Sequence, residues 1–469
     1  MGRATAKNLH QRRPRVPYAR QHQPLRREGM RVLRRLRLPI GTNLRRRWRI
    51  PGGPPTDHPR TSYQTRVFGT PAQRWFFADG LTANASDTVV VQFLSIYAIA
   101  LGATNTEVGL IAIANGLAGA LALYPGARIA ERVRSRKRVV LLGAAGIGRL
   151  TVLAMALTPL LLREPRHAVY GLVALTFLRW LGGSLSHPAW VSLLADIIPI
   201  DIRRFYVSQR MLGMTIVGAF AAPAAGFSIR AIGGIEGFQW VFAAAFALGI
   251  ASTFCYSRIP EPPRPSEADR PRGSMREMLA DGAFVRYLTA TFMLHTTTMI
   301  VGPFFAAYLV RDLGATTAEV GLLGTVDLVA AVTAQLGLGF VVARYPTERL
   351  VRIVMFTSPL IPFVWLFAQN PWHAVFPHII GGASWAVYNV VSFNLLMEYA
   401  PPRNIPRYAA THQMTVLVAS FLGPTIGTAI VAVWGIRAAM AISSLGRLIA
   451  AGMMFLPVRR PASERDRAR

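Results

Sequence analysis

Twelve long apolar runs restrict the fold of this chain more than any other feature. Each run spans about 20 residues or more, the length that a helix needs to cross the hydrocarbon core of a bilayer. Hydrophobic residues make up 52% of the 469 residues and charged residues only 16%. The pattern predicts an all-α polytopic membrane protein with transmembrane helices at residues 74–101, 107–127, 138–161, 168–195, 205–229, 236–257, 284–310, 317–343, 350–369, 374–399, 408–434 and 437–457.

Much of the basic charge lies ahead of the first run. The formal net charge is +30, and residues 1–66 hold 17 Arg and one Lys against Glu28 and Asp57, a net of +16. This composition predicts a disordered, Arg-rich cytoplasmic tail over residues 1–70. Its use stays open between contact with anionic lipid, nonspecific contact with nucleic acid, and a translation start that really lies at Met30 or later. We do not expect nucleic acid as a partner.

The loops between the runs alternate in basic charge. The loop after run 2, ARIAERVRSRKRVV, contains six Arg or Lys, whereas the loop after run 1 contains none. Basic loops stay in the cytoplasm, so both termini are predicted to be cytoplasmic in a multi-pass protein of the plasma membrane. The Pro-rich, charged stretch 259–282 is predicted to be a cytoplasmic linker, and residues 459–469 a cytoplasmic C-terminal tail.

The chain contains an internal repeat. LGATNTEVGL (Leu101–Leu110) recurs as LGATTAEVGL (Leu313–Leu322), in each case between the first and second run of a set of six. LLADIIP at the end of run 4 is echoed by LLMEYAP at the end of run 10. Echoes in the same order indicate two duplicated six-helix halves, residues 71–258 and 283–458.

This organisation resembles the major facilitator superfamily. The resemblance covers residues 74–457 and rests on twelve runs, the duplicated turn and the basic loop after run 2. It implies two pseudo-symmetric six-helix bundles around a midplane site that opens to one side of the membrane at a time. It also implies that runs 1, 4, 7 and 10 line the central cavity.

The basic loop keeps part of the family's loop motif. Gly126 fits its first position, and Glu131 and Arg132 supply an acid and a base one step late. In the second half Gly339 fits, and Arg344 stands in the place of Glu131. The resemblance implies a charge latch that favours one access state. A second interpretation, in which these bases only determine topology, stays open.

Small residues and a proline recur in runs 5 and 11. GAFAAPAAGF in run 5 resembles the family's antiporter motif, and ASFLGPTIGT stands at the corresponding place in run 11. Small side chains let helices approach closely, and proline bends a helix by removing a backbone hydrogen bond. We predict hinges at Gly218, Pro223, Gly226, Gly423, Pro424 and Gly427. The motif favours efflux by antiport, although general hinge chemistry is a second interpretation.

Polar and aromatic side chains follow single faces of runs 1, 4, 7 and 10. An ionised group at the bilayer centre costs about 2.5–3.5 kcal/mol on insertion scales, so each one needs a structural or functional reason. Residues three or four apart share a helix face, which groups Asn84 with Asp87. We predict a cavity for substrate and protons lined by Asn84, Asp87, Arg179, His187, Trp190, His295, Trp385, Tyr388 and Asn389.

Asp87 falls midway along run 1 and is the candidate for proton coupling, with Arg179 as its neighbouring cation. A static ion pair that ties runs 1 and 4 together is the second interpretation. Arg149, Asp327 and Arg447 also lie inside runs but have no assigned partner. The shared phrases GRLTVLA and GRLIAAG favour a structural role for the two arginines.

The sequence contains no enzyme signature. It has no phosphate-binding loop of the form GxxxxGK[ST] and no His and Cys cluster for a metal, and it implies no cofactor. We expect a monomeric secondary transporter of a small solute, proton-coupled, which exports small hydrophobic or cationic compounds. Two alternatives stay open: proton-linked import of sugars or organic acids, and a non-transporting membrane sensor or scaffold.

Overall fold

The computed structural model describes residues 69–261, 278, 280–342, 344–401 and 405–456. Almost all of the predicted N-terminal tail, most of the linker and the whole C-terminal tail lie outside these residues. In the part of the chain that the structure describes, twelve helical segments follow one another and no β-strand occurs. Their bounds are α1 Pro71–Ala100, α2 Asn105–Arg132, α3 Arg136–Leu161, α4 Pro165–Ile197, α5 Ile200–Ile232, α6 Gly234–Ser257, α7 Gly282–Asp312, α8 Thr317–Val342, α9 347–365, α10 Pro371–Tyr399, α11 405–434 and α12 436–453.

The twelve-helix prediction is confirmed, although length and apolarity alone would identify only nine of the described helices. Nine described helices are long and apolar enough to cross a membrane when α11 and α12 are counted as one. Hydrogen bonding runs through that junction, but Gly435 has φ +80° and divides the two helices. α1 carries buried polar side chains such as Asp79, which lower its apolarity. α9 is interrupted at residues 358–359, which leaves two helices that are each too short to span a membrane.

The ends of the helices differ from the predicted runs by at most five residues. The largest differences are at the end of α2, which continues to Arg132, and at the start of α5. In both places a charged turn extends an apolar helix. Hydropathy detects where the apolar stretch ends, while backbone hydrogen bonding decides where the helix ends.

The duplicated ten-residue phrase forms the same turn twice. Gly102 and Gly314 adopt positive φ, +93° and +70°, a conformation that glycine takes without steric cost. Glu107 Oε2 accepts hydrogen bonds from the backbone N–H and hydroxyl of Thr104 at 2.7 and 2.9 Å, and Glu319 does the same for Thr316. These interactions belong to a capping box. The repeat is therefore conserved within the chain by turn and capping requirements.

Apolar packing joins the two halves at one end of the molecule only. One buried cluster contains residues from both halves, among them Tyr97 and Phe242 of the first and Phe304 and Trp365 of the second. It surrounds the end where α1 finishes and α2 begins. At the opposite end two separate clusters occur, one built around Tyr206 in the N-terminal half and another that belongs wholly to the C-terminal half.

Closely packed helix pairs seal the end at which the two halves are joined. α5 packs on α8, where Thr317 Oγ1 donates to Gly226 O at 3.0 Å. α2 packs on α11, where a Cβ on Gly116 would lie 2.3 Å from Ser420 O. Arg311, at the end of α7, donates to the carbonyl of Ala103 in the first duplicated turn. The structure is thus an access state in which the halves meet at this end and separate toward the end where α1 begins.

Candidate functional site

Asp87 of α1 lies at the centre of a charged cluster in the N-terminal half. Its Oδ1 accepts hydrogen bonds from Arg179 Nη2 at 2.7 Å and from Arg149 Nη1 at 2.9 Å. The arginine side chains are 12% and 10% exposed, whereas that of Asp87 is 45% exposed and lines a cavity. The structure places Arg179 on Asp87 and adds a second arginine, so the cluster has one surplus positive charge.

Arg149 reaches this cluster because α3 is irregular just before it. Residues Leu141–Ile147 form a π-helical segment, and a wider turn changes the face on which the following residues lie. Gly249 of α6 leaves room, since a Cβ there would lie 2.5 Å from Arg149 Cδ. The sequence predicted no partner for Arg149, and the structure places it on Asp87.

A second charged pair lies nearer the separated end. Asp79 Oδ1 accepts a hydrogen bond from Ser252 at 2.7 Å, and its Oδ2 lies 3.5 Å from Arg210 Nη2. All three side chains are buried. The guanidinium of Arg210 also lies 5.0 Å from the ring of Phe76 and 5.3 Å from that of Trp190.

Sequence reasoning did not select Arg210 as a site residue. Arg210 lies nearly three turns inside α5, in the part near a membrane end where an arginine is ordinarily solvated. The sequence signal was weak: an acidic residue, Asp79, occurs at a similar depth in α1. That the two side chains pair is evident only from the packing of α1 on α5.

The remaining predicted residues of α4 line a cavity within the N-terminal half. This cavity of about 290 Å³ is bordered by His187, Trp190 and both charged groups described above. Trp190 is stacked on Phe76 with ring centroids 5.6 Å apart, and His187 stacks on Trp190 at 6.0 Å. The aromatic face of Trp190 is thereby occupied by protein groups.

The aromatic residues predicted from α7 and α10 pack against one another. His295 contacts the rings of Trp385 and Tyr388, with centroids 5.5 and 5.7 Å away, and its Nδ1 pairs with Thr291 O at 3.0 Å. Trp385 and Tyr388 border a cavity of only about 10 Å³, too small for a solute. Asn389 is exposed and does not line the central cavity.

The central cavity lies between the halves and measures about 370 Å³. The N-terminal half contributes Asn84 and Asp87, and Asn84 Nδ2 also donates to Met214 O at 2.7 Å. The C-terminal half contributes Asp327 of α8 and His378 of α10. Asp327, which the sequence analysis left unassigned, is therefore a cavity residue.

A larger and mainly apolar cavity of about 540 Å³ adjoins the Asp87 cluster between α1, α2, α4, α7 and α11. It shares Val91 with the central cavity, and it shares Arg179 and Trp180 with the pocket that surrounds Asp87. Its walls include Leu94 and Leu417. The site therefore combines a charged wall with an adjacent apolar surface, an arrangement typical of small-molecule sites.

The predicted latch residues are placed only in part. Arg132 and Arg344 are exposed, and Gly126 packs against the backbone of Leu185 in α4. The side chain of Glu131 and the surroundings of Gly339 lie outside the described residues. The latch role therefore stays a prediction.

Other residues of the same loop bind within their own half. Arg136 pairs with Asp196 at 2.5 Å, and Glu261 accepts hydrogen bonds from Ser135 Oγ and from the backbone N–H groups of Arg136 and Lys137. Partial desolvation opposes ionisation of Glu261, but these hydrogen bonds and the charge of Arg136 outweigh it and lower the pKa of this carboxyl group below 4.5. Glu261 thus holds the start of the linker against the N-terminal half.

The two predicted hinge motifs have different neighbours. On α5, Gly218 lies beside Asn84 and Leu328, and Gly226 lies against Thr317, so this motif faces the other half. The corresponding glycines of α11 pack within their own half: a Cβ on Gly427 would lie 2.0 Å from Ile300 O. Pro223 borders Gly321 of α8, Gly423 packs on α7, and Pro424 borders the larger cavity.

Comparison with known proteins gives a consistent result. The model of the Major Facilitator Superfamily matches residues 80–293 and 287–469. Multidrug resistance protein MdtG of Salmonella arizonae is 24% identical over 372 residues, which cover 77% of this chain and 89% of that protein. MdtG of Dickeya zeae is 25% identical over 391 residues, covering 81% and 92%.

Solved structures share the fold at low sequence identity. The xylose transporter XylE from E. coli, in an inward-open conformation, superposes with a TM-score of 0.64 at 16% identity and covers 84% of this chain and 98% of its own. The nucleoside transporter NupG superposes with a TM-score of 0.62 at 14% identity, covering 81% and 97%.

Proposed function

Since the chain belongs to the Major Facilitator Superfamily, whose members are transporters and not enzymes, we propose that it exports small hydrophobic or cationic compounds in exchange for protons. The observation that carries the proposal is the Asp87 cluster beside the cavity between two halves that meet at one end only. The similarity to multidrug resistance proteins favours export of this kind.

The packing supports alternating access. The joined end is closed by helix pairs α5–α8 and α2–α11, and the other end is split between two separate apolar clusters. Rocking the halves about glycine-rich contacts such as Gly226 on Thr317 would open the joined end and close the other. We propose that the separated end is cytoplasmic, as the basic loops indicate, and that residues 71–258 and 283–458 are the moving units of a monomer.

Asp87 is the proposed proton site. In this access state both arginines bind the same carboxylate oxygen, Oδ1. A proton on the other carboxylate oxygen, Oδ2, would neutralise Asp87 and weaken both ion pairs, so loading would alter how α1, α3 and α4 are held together. An exporter that exchanges protons for substrate releases its proton on the cytoplasmic side, and an ion-paired Asp87 fits that stage. A static tie between the three helices is the competing interpretation.

The test is transport into proteoliposomes under an imposed pH gradient, with ethidium as a fluorescent hydrophobic cation. Wild-type protein is expected to move ethidium in the direction opposite to the proton flux. Asp87→Asn is expected to reduce this gradient-driven rate at least about tenfold. Asp312→Asn, at the exposed end of α7, is the matched control and should transport like wild type. Gradient-driven movement that survives Asp87→Asn would mean that Asp87 is a static tie.

The same preparation separates the other classes. Movement of ethidium in the direction of the proton flux would identify an importer. A protein that moves and binds none of a broad panel of cations, sugars and organic acids would support the sensor or scaffold interpretation.

A further inference from the structure

The walls of the central cavity and of the pocket that adjoins it at Asp87 carry opposite charge. On the N-terminal side, Asp87 borders both spaces, and the two arginines that share it line the adjoining pocket, so this cluster has one surplus positive charge. The C-terminal wall contributes Asp327 and His378. The carboxylate of Asp327 forms no hydrogen bond or ion pair with any described residue, so an ionised Asp327 has no protein counter-charge beside it.

Asp87 of α1 and Asp327 of α8 line the same central cavity. On one side of them Gly218 borders both Asn84, which precedes Asp87 by three residues, and Leu328, which follows Asp327 directly. On the other side Gln92 of α1 packs on Gly324 of α8, with a Cβ at 324 lying 3.0 Å from Gln92 Nε2. The two carboxylates therefore belong to the same layer of the cavity, with the arginines behind Asp87.

Close backbone packing holds Asp327 in place. A Cβ on Gly382 of α10 would lie 2.0 Å from the carbonyl oxygen of Asp327, so α8 and α10 touch there. Arg447 is a buried cation of the same half, but it does not neutralise Asp327. It donates hydrogen bonds to Ser358 and Ser443 and does not line the cavity. An ionised carboxylate without a counter-charge inside the membrane is costly, and a bound proton or a ligand cation would remove that cost.

We propose that the central cavity and the adjoining Asp87 pocket bind ampholytes: molecules whose ammonium group contacts Asp327 and whose carboxylate contacts Arg149 and Arg179 beside Asp87. The proposal rests on the proposed transport function and adds ampholytes to the hydrophobic and cationic substrates named above. One bound molecule would match both walls, and its apolar body would lie in the adjacent apolar cavity. A molecule with only one charge leaves one wall unmatched and should bind more weakly than an ampholyte of the same length.

The test measures equilibrium binding to the purified full-length protein in detergent. The probes are ω-aminoalkanoates of increasing chain length, each compared with the alkylamine and the alkylcarboxylate of equal length. Wild-type protein is expected to prefer one ω-aminoalkanoate over both single-charge analogues by about tenfold or more, equivalent to about 1.4 kcal/mol. The preferred length reports the separation of the two charged walls.

Variants assign each end of the probe. Asp327→Asn should remove the advantage of the ammonium group, so that the alkylcarboxylate binds as well as the ω-aminoalkanoate. Arg149→Gln should remove the advantage of the carboxylate, and Arg149→Lys, which keeps the charge, should retain it. Asp312→Asn and Arg230→Gln, both at exposed helix ends, should leave all ratios within about twofold of wild type.

Two results would overturn the proposal. One is wild-type protein that binds the alkylamine as tightly as the matching ω-aminoalkanoate at every length. The other is an ω-aminoalkanoate preference that Asp327→Asn leaves intact. Either can occur in a protein that still exports ethidium, so the proposed transport function would survive. Conversely, absent ethidium transport with an Asp327-dependent ω-aminoalkanoate preference would reject the exporter and keep the binding site.

Discussion

The N-terminal and C-terminal halves share one architecture but not one interior. Each begins its second helix with the same glycine turn and capping box, at Thr104 and at Thr316. In the N-terminal half two aspartates and three arginines form two groups of ion pairs, whereas the described interior of the C-terminal half contains Asp327 and Arg447 without an ionic partner. Duplication preserved what folding requires, and the charged chemistry developed mainly on one side.

The largest expected effect is a difference in stability between variants of an aspartate that has an ionic partner and variants of one that has none. Asp79→Ala leaves Arg210 buried without its acidic partner and should lower the free energy of unfolding by about 3–5 kcal/mol. Asp327→Ala removes no ionic partner and should leave stability within about 1 kcal/mol of wild type or raise it. Chemical unfolding in detergent measures both. Equal losses in the two variants would show that ion pairing does not distinguish the halves.

The next effect compares the two glycine motifs. Leucine at Gly226 or at Gly427 introduces atoms where a Cβ already lies within 2.3 or 2.0 Å of a backbone oxygen. Overpacking costs about 1–3 kcal/mol at either position. The steric clash, however, lies in a different place in each variant. Gly427→Leu should lower stability, because the clash lies within one half. Gly226→Leu should instead shift the population toward the opposite access state, because the clash lies between the halves.

A cysteine reporter at Val91 in the central cavity, combined with Cys255→Ser, measures that shift. A membrane-impermeant thiol reagent added from each side of oriented vesicles should label the Gly226→Leu protein faster than wild type from the joined end. Unchanged sidedness of labelling would argue that the α5–α8 contact does not control access.

Loss of the N-cap threonine should have the same effect on stability in both duplicated capping boxes. Thr104→Ala and Thr316→Ala each remove one N-cap and should cost about 1 kcal/mol of stability. The serine variants keep a hydroxyl and are the controls. Costs that differ by more than about 1 kcal/mol between the copies would show that the halves do not contribute equally to stability.

The smallest effect concerns Glu261, which caps the start of α3. Its pKa is lowered in the folded protein, so its contribution to stability is fully present above about pH 4.5 and is lost as the pH falls through the lower folded-state value. Because the site is near the surface, the loss should be at most about 1 kcal/mol. Glu261→Gln should flatten this part of the pH dependence of unfolding. A wild-type slope that persists in the variant would assign it to other carboxylates.

Hydropathy and repetition predicted the helices and the two halves because both depend on local composition. The Asp87–Arg179 neighbourhood was also accessible, since each residue is a charge in the middle of an apolar run. Arg149 and Arg210 were missed for different reasons. A π-helical segment changed the face of Arg149, and Arg210 resembled a membrane-end residue until α5 packed on α1. Trp385 and Tyr388 share the polar stripe of α10, yet they pack with His295.

By itself, the sequence determined that the chain crosses a membrane in two homologous halves, because apolar length, turn glycines and capping residues act over a few neighbouring positions. Only the tertiary structure decided which charges meet, which end is joined, and that Asp327 faces the cavity without a partner. Ion pairing and cavity shape depend on contacts between residues far apart in the chain, such as Asp87 and Arg179, and neither periodicity nor composition records those distances.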